Sequence, residues 1–350
     1  MEMPDFSRLD PDLLAFLDSQ YGKWDARRSD LPLSGPLQKQ RGVSRQASAS
    51  LLNRLVASKI LLPGKGLKPK TYTLNKVLVF KHTYDLQGLE EHVVWQRDLE
   101  PILSKYAGPE AMKIWGYGVT EMINNAIDHS EGKVVRVFLF ITAVYAECMI
   151  TDDGEGIFRR ITRLCELVDE RQAILELSKG KLTTAPQAHS GEGIFFTSRA
   201  MDWFDLDSYG LSFNHVDDEY PDFLLENDDI VEGTSVMMDL NHRTKHNLRT
   251  LFHDFAAPDS FSFNKTIVPV RLAKIGAESL ISRSQARRLL ARVEKFEHVM
   301  FDFSGIDSIG QAFADEIFRV FQNEHPEVEL EPIEANAEVT EMIQRARAHK

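Results

Sequence analysis

Apolar and polar positions change period several times along the chain, and each change marks an element. Between 9 and 20, Leu13, Leu14, Phe16 and Leu17 fall on one side of a short amphipathic helix, and the proline-bounded stretch 32–36 separates it from the next element. Ser44 is placed to cap a helix reaching about Lys59, with Ala47, Leu51, Leu52, Leu55 and Val56 at helical spacing. Ile60-Leu-Leu then leads into 63–74, a basic turn followed by an alternating strand. Residues 86–107 read as helical, and a second helix is predicted over Pro109–His129. There Met112, Trp115, Val119, Met122, Ile123 and Ala126 form an apolar stripe. Gly118, Glu121, Asn125 and Asp128 form another, offset from the core side.

Further along, 134–141 and 144–150 are β-branched and aromatic and read as paired strands. Residues 157–179 look helical, and 179–189 is a polar, punctuated loop. A helix should run from Gly193 to about Asp202, and alternation at 204–215 and 230–240 predicts more strands. Beyond 262 the order is strand (267–272), helix (283–296), strand (298–303), helix (310–321), strand (328–333), helix (339–348). Such alternation favours a small, mostly parallel sheet. The 350 residues exceed one compact core, so the fold class expected is multidomain α/β.

The longest apolar run, 137–146, is ended by Arg136 and Glu147 and is too short to span a bilayer. The N-terminus, Met-Glu-Met-Pro-Asp, lacks the apolar core of a secretory signal. A cytoplasmic setting without a membrane partner is expected. Cys148 and Cys165 make no disulfide framework or metal motif. Charge is unevenly spread. Residues 35–80 hold nine Lys or Arg and no Asp or Glu, so with a total of −12 the remainder carries −21. A basic module on an acidic chain points to a local anionic partner.

The candidate chemistry lies between 121 and 234. Glu121 and Asn125 stand at i and i+4 on one helix face. Asp152-Asp-Gly-Glu-Gly156 leads an acidic pair into two glycines. Ser190-Gly-Glu-Gly-Ile194 and Gly233-Thr234 come after it. Glycine amides before the helix starting near Gly193 make an anion site. Magnesium needs hard oxygen ligands and keeps several waters, so one side-chain oxygen plus phosphates suffices for it.

Over roughly residues 85–242 these boxes resemble the GHKL (Bergerat-fold) ATPases. That superfamily includes type II topoisomerase ATPase subunits, Hsp90-type chaperones, mismatch-repair ATPases, sensor histidine kinases and anti-sigma-factor kinases. The resemblance implies ATP and Mg2+ as ligands. Glu121 would orient or deprotonate the attacking group, and Asn125 would bind Mg2+. Asp152, with Gly154 and Gly156, would accept from the adenine amino group. Gly191 and Gly193 would approach phosphate, and Thr234 would support the adenine-binding carboxylate. The segment 157–192 would be a lid. Three features depart from the family pattern. His189 and Ser190 stand where glycine is frequent, Asp128 stands where many sensor kinases carry a basic residue, and no histidine phosphoacceptor motif is present.

Residues 31–80 resemble a winged helix-turn-helix. By that analogy Ser44, Arg45, Gln46 and Ser48 would reach phosphate or base edges of double-stranded DNA, and Lys65, Lys68 and Lys70 would touch its backbone from the wing. The last ~90 residues resemble STAS-like domains, on Ser282-Arg-Ser-Gln-Ala286 and on 301–315, and imply a protein partner. In that likeness Ile309 stands where an antagonist's phosphorylated serine would fall, and Ser308 is a candidate both to substitute for that serine and to cap the helix.

The expected organisation is thus a winged helix (1–80), an α+β GHKL ATPase sandwich (81–245) and a small α/β STAS-like domain (260–350). Assembly into a homo-oligomer is left open. The leading reading is a regulator that hydrolyses Mg·ATP, or transfers its phosphoryl group to a protein hydroxyl, and couples nucleotide state to DNA or partner binding. The alternatives are a non-catalytic ATP-sensing transcription regulator and an atypical histidine kinase without its phosphoacceptor domain.

Overall fold

The computed structural model describes residues 6, 9–182, 191–216, 222–228, 230–256, 262–274 and 279–348. Its strands form sheets of two, seven and three members, a multidomain mixture of α and β.

At the N-terminal end, the helix Pro11–Tyr21 buries Leu13, Phe16, Leu17 and Tyr21. The helix Ser34–Arg41 stops at Gly42, whose φ of 61° is the left-handed value that a C-terminal glycine accepts without strain. Ser44 then caps the helix Arg45–Ala57 by accepting from the Ala47 amide at 3.2 Å. The strands β1 (Leu61–Leu67) and β2 (Lys70–Leu74) form an antiparallel hairpin, and Leu31 bridges to Tyr72 beside it. Arg27 fastens this region to the central sheet. It is buried between Asp202, at 2.6 Å, and Asp239, and also donates to the Gly22 carbonyl at 2.6 Å. The two carboxylates hold its guanidinium in the charged form against the penalty of burial.

The central sheet is antiparallel, in the order β3 (Val77–Asp85), β4 (Val134–Ile141), β5 (Tyr145–Asp152), β9 (Ser235–Asn241), β6 (Trp203–Ser208), β7 (Leu211–Val216), β8 (Phe223–Glu226). The last strand in sequence therefore lies between β5 and β6 and joins the two halves. β3 pairs along β4 from Val77 to Asp85, so residues 77–80 are part of this sheet. The alternating segment 204–215 is a hairpin, turned at Tyr209 and Gly210 with φ of 48° and 83°. Residues 157–179 form two helices, Ile157–Leu164 and Glu170–Lys179. Asp169 caps the second by accepting from the Arg171 amide at 2.8 Å.

The helices Pro109–His129 and Gly193–Ala200 pack together. Gly118, expected on the functional stripe, belongs instead to this contact. It is buried, and a Cβ there would lie 2.6 Å from Met201 Cε and 3.1 Å from Thr197 Cγ2. The missing side chain lets the two helices approach.

In the C-terminal unit, β10 (Lys265–Pro269), β11 (His298–Asp302) and β12 (Glu329–Ile333) form a parallel sheet in that order. The helix Arg283–Leu290 opens with a capping box between Ser282 and Gln285. Ser308 is not a cap. The helix Gln311–Asp315 begins after Gly310, whose amide is bound to the Leu280 carbonyl at 2.8 Å, and Ser308 stands exposed two residues outside. Among the described residues no helix is long and apolar enough to cross a membrane.

Candidate functional site

A cavity of about 300 Å3 lies between the helix Pro109–His129, the ends of β5 and β9, and the helix Ile157–Leu164. That size sits at the lower end of small-molecule pockets. Glu121, Asn125, Asp152, Gly191, Gly193 and Thr234 all line it. Met122, Ile150, Ile157, Ile161, Leu206 and Val236 supply apolar wall, suited to a flat ring system. Residues 183–190, which include His189 and Ser190, lie outside the described residues.

At one end stands Asp152. Its Oδ1 accepts from the amides of Gly154 at 2.9 Å and Thr234 at 3.2 Å. Burial pushes its carboxyl up to about 6, against those two amides, which favour the charged form. It therefore stays ionised at neutral pH and can accept from a ligand N–H. Thr234 Oγ1 in turn accepts from the Ile157 amide at 3.0 Å, tying the start of that helix to β9. Gly154 and Gly156 shape this end without lining it. A Cβ on Gly154 would lie 2.0 Å from the Ser130 carbonyl oxygen, and Gly156 takes a φ of 90° against Ser208 and Tyr209. Asp153 turns away and accepts from the Lys133 and Val134 amides at 2.7 and 2.9 Å. Burial would raise its carboxyl, but those amides together draw it below the ordinary range. The acidic pair thus splits into one cavity residue and one turn lock.

At the other end Glu121 lies against the backbone of Gly193. A Cβ on Gly193 would be 2.1 Å from Glu121 Oε2, so the glycine lets the carboxylate lie directly against this helix N-terminus. Burial, and then the charges of Glu121 and Glu192, hold the Tyr117 phenol far above its usual range. Asn125 touches Met122 Sδ at 4.0 Å, a contact too weak to hold the amide against a hard cation. Its oxygen is a donor of the kind magnesium takes. Among the described residues no three His, Cys, Asp or Glu side chains converge on a metal, so an ion held here would draw its remaining ligands from phosphate and water.

Several lining residues escaped the sequence reading. Arg160, on the helix after the second glycine, also borders the cavity. It pairs with Glu131, while among the described residues its buried Nε has no hydrogen-bond partner. Its place one turn inside that helix was the available signal. Ser130 continues the face that runs from Glu121 and Asn125 through His129, which the sequence places as a packing or pocket-lining residue, and Leu177 and Leu182 close the wall from the following segment.

On the N-terminal unit, Ser44, Arg45, Gln46, Lys65, Lys68 and Lys70 are all at least partly exposed. Ser48 is not available to a ligand. It is fully buried and bonded to the Ser34 carbonyl at 3.1 Å, because it faces the preceding helix. Of the nine basic residues in 35–80, Arg41 is taken up by Asp10 and Asp12, and Lys76 by Glu147.

A family model described as a STAS-like domain of unknown function (DUF4325) matches residues 285–340, so the chain carries a STAS-like domain at its C-terminal end. No curated protein matches the chain.

Proposed function

We propose that this chain is a nucleotide-binding regulator of the GHKL type, with Mg·ATP in the cavity between Glu121 and Asp152 and double-stranded DNA on the winged helix of residues 31–76. The observation that carries the reading is the convergence of four sequence-distant boxes on one cavity, with an ionised carboxylate at one end and an Asn–Glu pair beside a glycine-started helix at the other. Asp152 would hold the adenine amino group, and the apolar wall the ring. Asn125 would hold a magnesium ion, whose chemistry when bound would be neutralisation of phosphate charge. Gly191 and Gly193 would offer backbone amides to phosphate. Glu121 would orient water or a protein hydroxyl and take up its proton, since phosphoryl transfer is mostly positioning plus charge neutralisation.

The test is a thermal-shift titration with Mg·ATP on the wild type and on Asp152→Ala. A saturable rise in melting temperature, absent in the variant, supports the reading. No shift in the wild type ends it. Incubation with γ-labelled ATP then separates hydrolysis, protein phosphorylation and simple binding. Free phosphate or labelled protein that disappears in Glu121→Ala marks catalysis. A shift without either product leaves ATP as a ligand alone.

A further inference from the structure

The stretch from Glu176 to Leu182 serves two neighbours at once. On one side Leu177 and Leu182 line the cavity. On the other, the wholly buried Lys179 pairs with Glu176 at 2.7 Å and donates to the Ala291 carbonyl at 2.8 Å. The Lys179 carbonyl accepts from Thr266 Oγ1 at 2.6 Å. Lys181 reaches the Lys295 carbonyl at 2.9 Å. From the C-terminal unit Arg292 comes back across the joint. It donates to the Lys181 carbonyl at 3.1 Å, touches Cys165 Sγ at 3.7 Å and stands 3.8 Å from Glu176.

This joint is packed as well as charged. Gly180 takes a φ of 76°, and a Cβ there would lie 2.6 Å from Phe263. The Phe263 ring packs tilted against Phe195 at 4.7 Å and edge-on against Phe296 at 5.4 Å, which links the helix beginning at Gly193 to the C-terminal unit. Buried pairs of this kind do not exchange freely with water, because removing one partner strands the other charge. The cavity wall is therefore held in its present position from outside the nucleotide domain.

We infer that Arg292 is a positioning residue for the cavity: the STAS-like domain grips the wall segment 176–182 and thereby sets nucleotide affinity. The inference rests on the reading of the cavity as a nucleotide site. Reciprocity comes from linkage. If docking of the C-terminal domain tightens nucleotide, nucleotide tightens the docking by the same factor. A protein that pulls on the STAS-like domain would then change nucleotide occupancy without touching the cavity.

The test uses the full chain. Mg·ATP affinity is measured on the wild type, Arg292→Ala, Arg292→Lys and Thr266→Val. Alkylation of Cys165 by iodoacetamide, mapped by mass spectrometry, reports the state of the joint, and the fully buried Cys148 is the internal control. Arg292→Ala should weaken Mg·ATP roughly tenfold, within the usual span of coupling between sites, and Arg292→Lys should recover part of the loss. Mg·ATP should slow Cys165 alkylation in the wild type and have no such effect in Arg292→Ala. Should Arg292→Ala fold poorly by circular dichroism, Thr266→Val carries the test, with a smaller loss in the same direction. Wild-type affinity in a folded variant whose Cys165 reacts faster overturns the inference. Absence of any Mg·ATP binding by the wild type is a separate result, which overturns the nucleotide reading first and this inference with it.

Discussion

The Thr234 amide lies 3.2 Å from Asp152 Oδ1, across 82 positions of sequence. The contact exists because β9 enters the sheet beside β5, so that the start of one strand meets the end of the other. With the bond from the Asp152 amide to the Thr234 carbonyl at 2.9 Å, it joins two distant boxes of the candidate site.

Asp152→Asn should separate binding from stability. A hydrogen bond to a charged group contributes about 1.5–3 kcal/mol, so Mg·ATP affinity should fall roughly 10- to 100-fold. The folded carboxyl, at about 6, lies above the ordinary 3.8, so its ionisation opposes folding. The stability linked to its proton is fully present below pH 3.8 and is lost as pH rises through 6. The variant should therefore be more stable than wild type at pH 8, by about 2–3 kcal/mol, with the difference closing near pH 4. Urea midpoints at the two pH values check this. In the wild type, Mg·ATP binding should weaken as pH falls from about 8 to about 5, as the carboxylate takes up its proton.

Two glycine-to-alanine changes should behave differently. At Gly154 the added Cβ would meet the Ser130 backbone oxygen at 2.0 Å, which cannot move cheaply. Gly154→Ala should cost about 1–3 kcal/mol or more of stability. At Gly193 the clash is with Glu121 Oε2, the far end of a side chain. Gly193→Ala should keep its melting temperature and displace Glu121, lowering phosphate release from γ-labelled ATP. Equal melting losses in both variants would contradict this.

DNA affinity should depend on salt through the exposed basic residues. Replacing Lys68 or Lys70 with Ala should reduce the slope of log K against log salt by roughly one unit each, measured by fluorescence anisotropy on duplex DNA. Ser48→Ala should leave DNA affinity unchanged and lower stability instead, because its hydroxyl serves Ser34.

Arg27→Met should destabilise the protein by about 3–5 kcal/mol in chemical denaturation, since it leaves Asp202 and Asp239 without their buried counter-charge. Lowering the pH toward about 5 should shrink the loss, because burial pushes the Asp239 carboxyl up to about 7 and its protonated form needs no counter-charge. A loss that is independent of pH would assign the effect to packing.

Much of the local structure was legible in the residue pattern. The helix Pro109–His129, the strand β4 and the Ser44 cap emerge from residue spacing within a few positions, where side-chain direction is fixed by helix or strand geometry. The misreadings at Gly118, Ser48 and Ser308 share one cause. A small residue on a helix face, or just before a helix, reads alike whether it meets solvent, a ligand or a neighbouring helix. Only the neighbour's position distinguishes these, and that position is not local.

By itself the sequence determined the periods, the caps, the glycine turns and the basic stretch, because each depends on residues within a turn or two of one another. Tertiary structure decided that β9 lies between β5 and β6, that Asp152 faces the cavity while Asp153 locks a turn, and that Arg160 borders the cavity. It also decided that Arg292 holds the wall around Lys181. These depend on which surfaces exclude water together, and burial is what raises the Asp152 carboxyl and commits Lys179 to Glu176.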